Sequence, residues 1–145
     1  MTSKELLKRW KGNKNYTLRI IDRMPEEHFA YRPFVGSKTF KSQISHISSW
    51  LRSHSKFVTG EVLPKPQGKN KVDMMRDLEA CFDYLIQFIS ESSLEALLEK
   101  TEVWYGQVSR GFVLQTMDNH LSHHRGQMVL YLRMKEITPP SYVGW

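Results

Sequence analysis

From about Ser109 to about Lys135 the chain reads as one long amphipathic helix whose buried stripe has a polar middle, and few folds accommodate that combination. Val113, Met117, His120, His124, Gln127, Tyr131 and Met134 recur in alternating steps of four and three, the spacing of an inward bundle face. His120 and His124 are four residues apart, so on a 3.6-residue helix they project about 40° from one another. Burying an imidazole without a partner costs roughly 1–3 kcal/mol, so two side by side call for a shared one. A divalent ion is such a partner, because neutral imidazole is the commonest metal ligand and bundles build metal sites from facing helices. The alternative is a pair of core histidines satisfied by backbone or buried water. One helix turn supplies two ligands, and a third must come from elsewhere in the chain.

The remaining sequence supplies the facing helices. Residues 3–24 place Leu6, Leu7, Trp10, Leu18, Ile20 and Ile21 at threes and fours among basic residues, with Ser3 as N-cap and Pro25 as the stop. After Gly36, Ser37 or Thr39 can cap a second helix that runs to about Thr59 and ends at Gly60. It carries two stripes. One is Phe40, Ile44, Ile47, Leu51 and Val58; the other, about 100° round, is Gln43, His46, Trp50, Ser53 and Phe57. A third helix opens at Asn70 or Asp73, with Val72, Met75, Leu78, Cys81, Phe82, Leu85, Phe88 and Ile89 inward, and ends near Ser90. A short helical pattern covers residues 93–99. Residues 101–108 read equally as a strand-like excursion or a loop, and Pro139, Pro140, Gly144 and Trp145 make a non-helical tail.

Four long helices without a convincing strand pair predict an all-α four-helix bundle, as one domain over residues 1–145. Its helix topology stays open. The formal charge of +6 raises nucleic acid as a partner, but the 21 Lys and Arg are spread along the chain with 15 acids interleaved. Residues 1–9 lack the apolar centre of a signal peptide, and no apolar run approaches the roughly 18 residues of a membrane span. A single cysteine, Cys81, suits a reducing compartment, and its apolar setting makes it a small core residue. A cytoplasmic protein acting on a small molecule, with no membrane partner, is the expectation.

Two histidines of the second helix compete for the third ligand position. Periodicity favours His54, on the Ile44 and Leu51 stripe, over His46, on the stripe of Trp50 and Phe57; spacing alone does not decide. His123 lies about 60° from His120 and about 100° from His124, a flanking position from which it could orient a ligand or substrate. Gln127, one turn beyond His124, could hydrogen-bond a ligand, and Trp50 with Phe57 could line a pocket. Arg125, about 140° from His120, faces solvent or another helix.

The segments Tyr31-Arg-Pro-Phe-Val-Gly-Ser-Lys-Thr-Phe40, Ser45-His-Ile-Ser-Ser-Trp50 and His120-Leu-Ser-His-His-Arg-Gly-Gln127 together resemble the DinB/YfiT-like family of metal-dependent bundle enzymes. The resemblance spans nearly the whole chain, and the final-helix run is its most specific part. It implies a metal held by His46, His120 and His124, leaving His54 as a bundle-face or cleft residue, and it implies a homodimer. Three imidazoles leave open positions on the ion, the pattern of a catalytic site. Zinc or nickel is the expected metal, though imidazole also suits copper and iron. Proteins of this kind include hydrolases and transferases or isomerases that use a low-molecular-weight thiol as co-substrate. The rival expectations are a non-catalytic metal-binding stress-response protein and, further off, a basic nucleic-acid module.

Overall fold

The computed structural model describes residues 1–142, so the tail residues Gly144 and Trp145 lie outside the described residues. Among the described residues the chain forms α1 (Ser3–Arg23), α2 (Phe40–Thr59), α3 (Lys71–Glu91), the short α4 (Leu94–Leu98), a hairpin of β1 (Lys100–Val103) and β2 (Gly106–Ser109), and α5 (Arg110–Met134). The four long helices are the expected all-α bundle. The stretch left between strand and loop is the antiparallel hairpin, with Val103 opposite Gly106. Trp104 and Tyr105 form its tip, and Gly106 closes the turn at φ 120°, a conformation open to glycine.

Local chemistry sets the helix ends. Thr2, one residue earlier than expected, caps α1: its hydroxyl accepts from the Glu5 amide while the Glu5 carboxylate accepts from the Thr2 amide. That reciprocal box needs a three-residue spacing, which Ser3 does not have to Glu5. Thr39, Asn70 and Ser109 cap α2, α3 and α5 one-sidedly, each side chain accepting a backbone amide, and Gly60 ends α2 in the left-handed region at φ 88°.

The helices pack as a ring in which α1 and α2 each contact both α3 and α5. Helices α1 and α2, consecutive in sequence, therefore sit across a diagonal, and residues 24–39 pass over the end of the bundle. This settles the open topology and makes α2 and α5 direct neighbours. Trp10, Ile20, Phe40, Ile44, Leu78, Phe82, Leu114 and Leu132 are wholly buried between them. Val72, expected inward, is 63 % exposed, and Met74 is buried in its place. Val72 lies about 120° round α3 from Leu78, whereas Met74 lies about 40° away.

The connection between α2 and α3 is pinned to the start of α3. The Asp77 carboxylate accepts from the Gln67 and Gly68 amides at 3.0 and 2.6 Å. A Cβ on Gly68 would stand 2.5 Å from the Asp73 carbonyl carbon and 2.7 Å from the Met74 nitrogen, so no larger residue fits without moving backbone. Among the described residues, no helix is long and apolar enough to cross a membrane.

Candidate metal centre

Helices α2 and α5 bring three imidazoles together. His46 Nε2 lies 3.1 Å from His120 Nε2, which in turn lies 3.2 Å from His124 Nε2. One ligand atom from each residue falls within 4.8 Å of the others, and no carboxylate or thiol among the described residues joins the group. Two nitrogens at bonding distance from a tetrahedral zinc ion stand about 3.3 Å apart, close to the two contacts seen.

Proton accounting points the same way. The Gln43 side-chain oxygen accepts from His124 Nδ1 at 2.7 Å, so that nitrogen carries the proton and Nε2 presents a bare lone pair to the centre. His120 Nε2 meets two nitrogens and can donate to one at most, so hydrogen bonding alone leaves one contact unsatisfied. A cation accepted by all three lone pairs removes the conflict. Burial, followed by the neighbouring imidazoles, lowers the His120 and His124 pKa values to about 4. Burial, then Lys38, also lowers that of His46. Neutral rings at physiological pH are the form a metal requires.

A polar chain orients the site from behind. Gln43 is wholly buried and donates its amide to Gln127 Oε1 and to the Tyr131 hydroxyl, which itself donates to the Lys38 carbonyl at 2.7 Å. Gln127 in turn contacts His123 Nε2 at 2.8 Å. His123 thus stays on the exposed flank, and Gln127 reaches the centre through Gln43 rather than directly. Gln43 is the functional residue that sequence reasoning passed over; its only signal is a polar side chain one turn before His46 on the same stripe. Replacing Gln43 with Met is expected to weaken metal binding by roughly 10–100-fold while the three histidines remain, because His124 loses the group that fixes its tautomer. Competition titration against a chelator measures this, and unchanged affinity would remove Gln43 from the site.

An aromatic wall flanks the triad. The Trp50 indole is sandwiched between His120 and His54, stacking on them at centroid distances of 3.9 and 3.7 Å. The structure therefore places His46 with the α5 pair and puts His54 on the far face of Trp50, against the preference of periodicity. His54 Nδ1 lies 3.1 Å from the Trp50 carbonyl, and Trp104 of the hairpin tip meets His54 edge-on at 5.3 Å. Trp104 is 68 % exposed. Trp50 Nε1, His54 Nε2 and His120 Nδ1 are buried without a hydrogen-bond partner among the described residues.

On another face of α5, Arg125 meets a helix rather than solvent. It donates to Asn13 Oδ1 at 2.8 Å and to the Ser122 hydroxyl at 3.0 Å. Asn13 donates to Asp118 at 2.8 Å, and Arg9 donates to the same carboxylate. This network ties α1 to α5 through side chains whose pairing periodicity does not indicate.

The model of the DinB family matches residues 1–142. The chain belongs to the DinB family. Comparison with curated proteins returned no match. Among solved structures, this DinB chain is similar to a DinB-like protein from Bacillus cereus, at TM-score 0.79 and 20 % identity over 95 % of each chain. It is also similar to one from Bacillus subtilis, at TM-score 0.78 and 17 % identity over 95 % of this chain and 96 % of that one. A mycothiol-dependent maleylpyruvate isomerase matches at TM-score 0.68 and 14 % identity, over 88 % of this chain and 61 % of the isomerase. These likenesses establish the shared bundle fold.

Proposed function

We propose that this DinB protein is a metal-dependent enzyme that uses a low-molecular-weight thiol to attack a small electrophile, with His46, His120 and His124 holding one divalent ion. The observation that carries the reading is the convergence of three neutral imidazoles with no fourth protein ligand among the described residues, because structural zinc is normally closed by four. The ion, when bound, would supply Lewis acidity that makes a thiol or water nucleophilic near neutral pH. Similarity to the mycothiol-dependent isomerase favours the thiol over water.

The chain's own groups do the rest. Gln43 holds His124 in the tautomer that faces the centre, and Trp50 fixes the His120 ring by stacking. The exposed indole of Trp104 and the Tyr105 ring, 4.9 Å apart, offer an apolar wall to the body of the electrophile. A homodimer is part of the proposal, and sedimentation of the purified protein tests that point separately.

Metal-loaded protein should consume a cellular thiol and an electrophile together, and His124→Ala should not. Trp104→Ala should raise KM for the electrophile about fivefold with kcat nearly kept, equivalent to about 1 kcal/mol of lost aromatic contact. Turnover of an ester without thiol would move the assignment to hydrolase. Stoichiometric metal with no turnover of any thiol or ester would support the non-catalytic metal-binding reading.

A further inference from the structure

A second polar cavity lies on another face of α2, about 120° round the helix from His46. It is a surface hollow with a volume of about 220 Å³, bordered by the α2–α3 connection. Ser45, Ser48, Ser49 and Arg52 line it from α2, at the helical spacing i, i+3, i+4, i+7 that puts four side chains on one face. Lys65 of the connection and Asp77 of α3 complete the polar lining.

The side-chain donors of the cavity have no protein partner among the described residues. Arg52 Nε is buried without a hydrogen-bond partner among the described residues. Ser48 is 3 % exposed, and its hydroxyl, like those of Ser45 and Ser49, makes no hydrogen bond with any described residue. Ser45, Ser49 and Lys65 reach solvent at the mouth of the cavity, whereas Arg52 Nε is buried, and leaving a guanidinium N–H desolvated and unpaired is costly. The one carboxylate present is turned elsewhere, since Asp77 Oδ2 already accepts from the Gln67 and Gly68 amides. Arg52 and Lys65 against Asp77 leave one net positive charge in a polar hollow with three hydroxyls. The rim is also preformed, because Gly68 packs directly on the α3 backbone.

We infer that this cavity binds a small tetrahedral oxyanion of the phosphate class, with Arg52 and Lys65 as its counter-charges and the three serine hydroxyls as further donors. A planar guanidinium beside several hydroxyls is the donor arrangement that such an anion takes. The site stands apart from the metal centre and does not depend on the reaction assigned to it.

The test follows the Arg52 Nε–H and the Ser48 and Ser49 amides by ¹H–¹⁵N NMR. The protein is titrated with inorganic phosphate or methyl phosphate at an ionic strength held constant with chloride. Saturable shifts with a millimolar or tighter Kd are expected, and they should persist in His120→Ala, which separates this site from any phosphate taken by the metal. The Arg52→Gln and Lys65→Gln variants, with Ser48→Ala as a third, should each weaken binding; for Arg52→Gln the loss should be at least about tenfold. Binding of either probe supports the site, and their ratio tells a free ion from the end of a phosphate monoester. Absence of a saturable shift, or shifts that survive Arg52→Gln unchanged, would overturn the proposal.

Discussion

His120→Ala is expected to abolish stoichiometric binding of a divalent ion while leaving the bundle folded. His120 is the only one of the three whose Nε2 contacts both others, at 3.1 and 3.2 Å, so its removal leaves two nitrogens without the ring that joins them. The loss should exceed the 10–100-fold typical of removing an outer partner such as Gln43. His46→Ala and His124→Ala should behave alike, and His54→Ala should keep its metal, because Trp50 stands between that ring and His120. Metal content per chain, measured on the purified variants, decides the matter. Unchanged stoichiometry in His46→Ala and His124→Ala would sink the site, and loss in His54→Ala alone would move the third ligand. Acid should have the same effect as alanine. The folded pKa values of His120 and His124, about 4, lie below the ordinary histidine value of 6.5, so the folded state binds fewer protons than the unfolded one. The stability held by these neutral rings is complete above about pH 6.5 and is lost as pH falls toward about 4, and protons displace the ion over the same range. Metal retained to the acid end of a stepped dialysis would contradict this.

Asp118→Ala is expected to be the most damaging change away from the histidines, at about 3–5 kcal/mol of folding stability. The carboxylate is 2 % exposed and accepts from both Arg9 and Asn13, and Asn13 in turn receives Arg125, which is 3 % exposed. Burial already works against the charged form of Arg125, and the nearby Asp118 carboxylate is the main influence that supports it. Removing the anion takes away the carboxylate that the buried Arg125 and the half-buried Arg9 share, and the cost is a large part of the 5–15 kcal/mol that holds an ordinary domain together. Urea unfolding of the metal-free protein measures it. Asp118→Leu combined with Arg125→Met should recover much of the loss, because charge and counter-charge leave together. A loss below about 1 kcal/mol for Asp118→Ala would show the network to be no more than a surface ion pair.

The α5 histidine pair and the four long helices were legible because both rest on period, and the buried stripe of a helix repeats whatever its partners are. What period cannot carry is which stripe meets which neighbour. His54 shares a stripe with Ile44 and Leu51 and is indeed buried, yet the α5 pair is met by the other stripe, where His46 and Gln43 stand. The DinB resemblance selected His46 where spacing could not. Gln43 stayed silent because a glutamine at a helix position carries no mark of its partner 81 residues away. Arg125 and Asp118 were hidden for the same reason: their partners, Asn13 and Arg9, lie at the opposite end of the chain. The hairpin escaped because strands of four residues are too short for alternation to register, and its turn is set by one glycine rather than by an Asn-Gly signal.

The diagonal placement of α1 and α2 bears on when the site comes into being. His46 and its nearest partner nitrogen are 74 residues apart, and α5 is the last helix of the described chain. Their contact closes a long loop whose entropy is recovered only when α3 and the hairpin are also in place, so the triad is among the late events of folding. During synthesis the second helix emerges with His46 alone, unable to capture an ion in this geometry until the final helix follows. If the proposed site binds its ion, metal uptake doubles as a kinetic marker of completed assembly, and in refolding it should trail the recovery of helical circular dichroism.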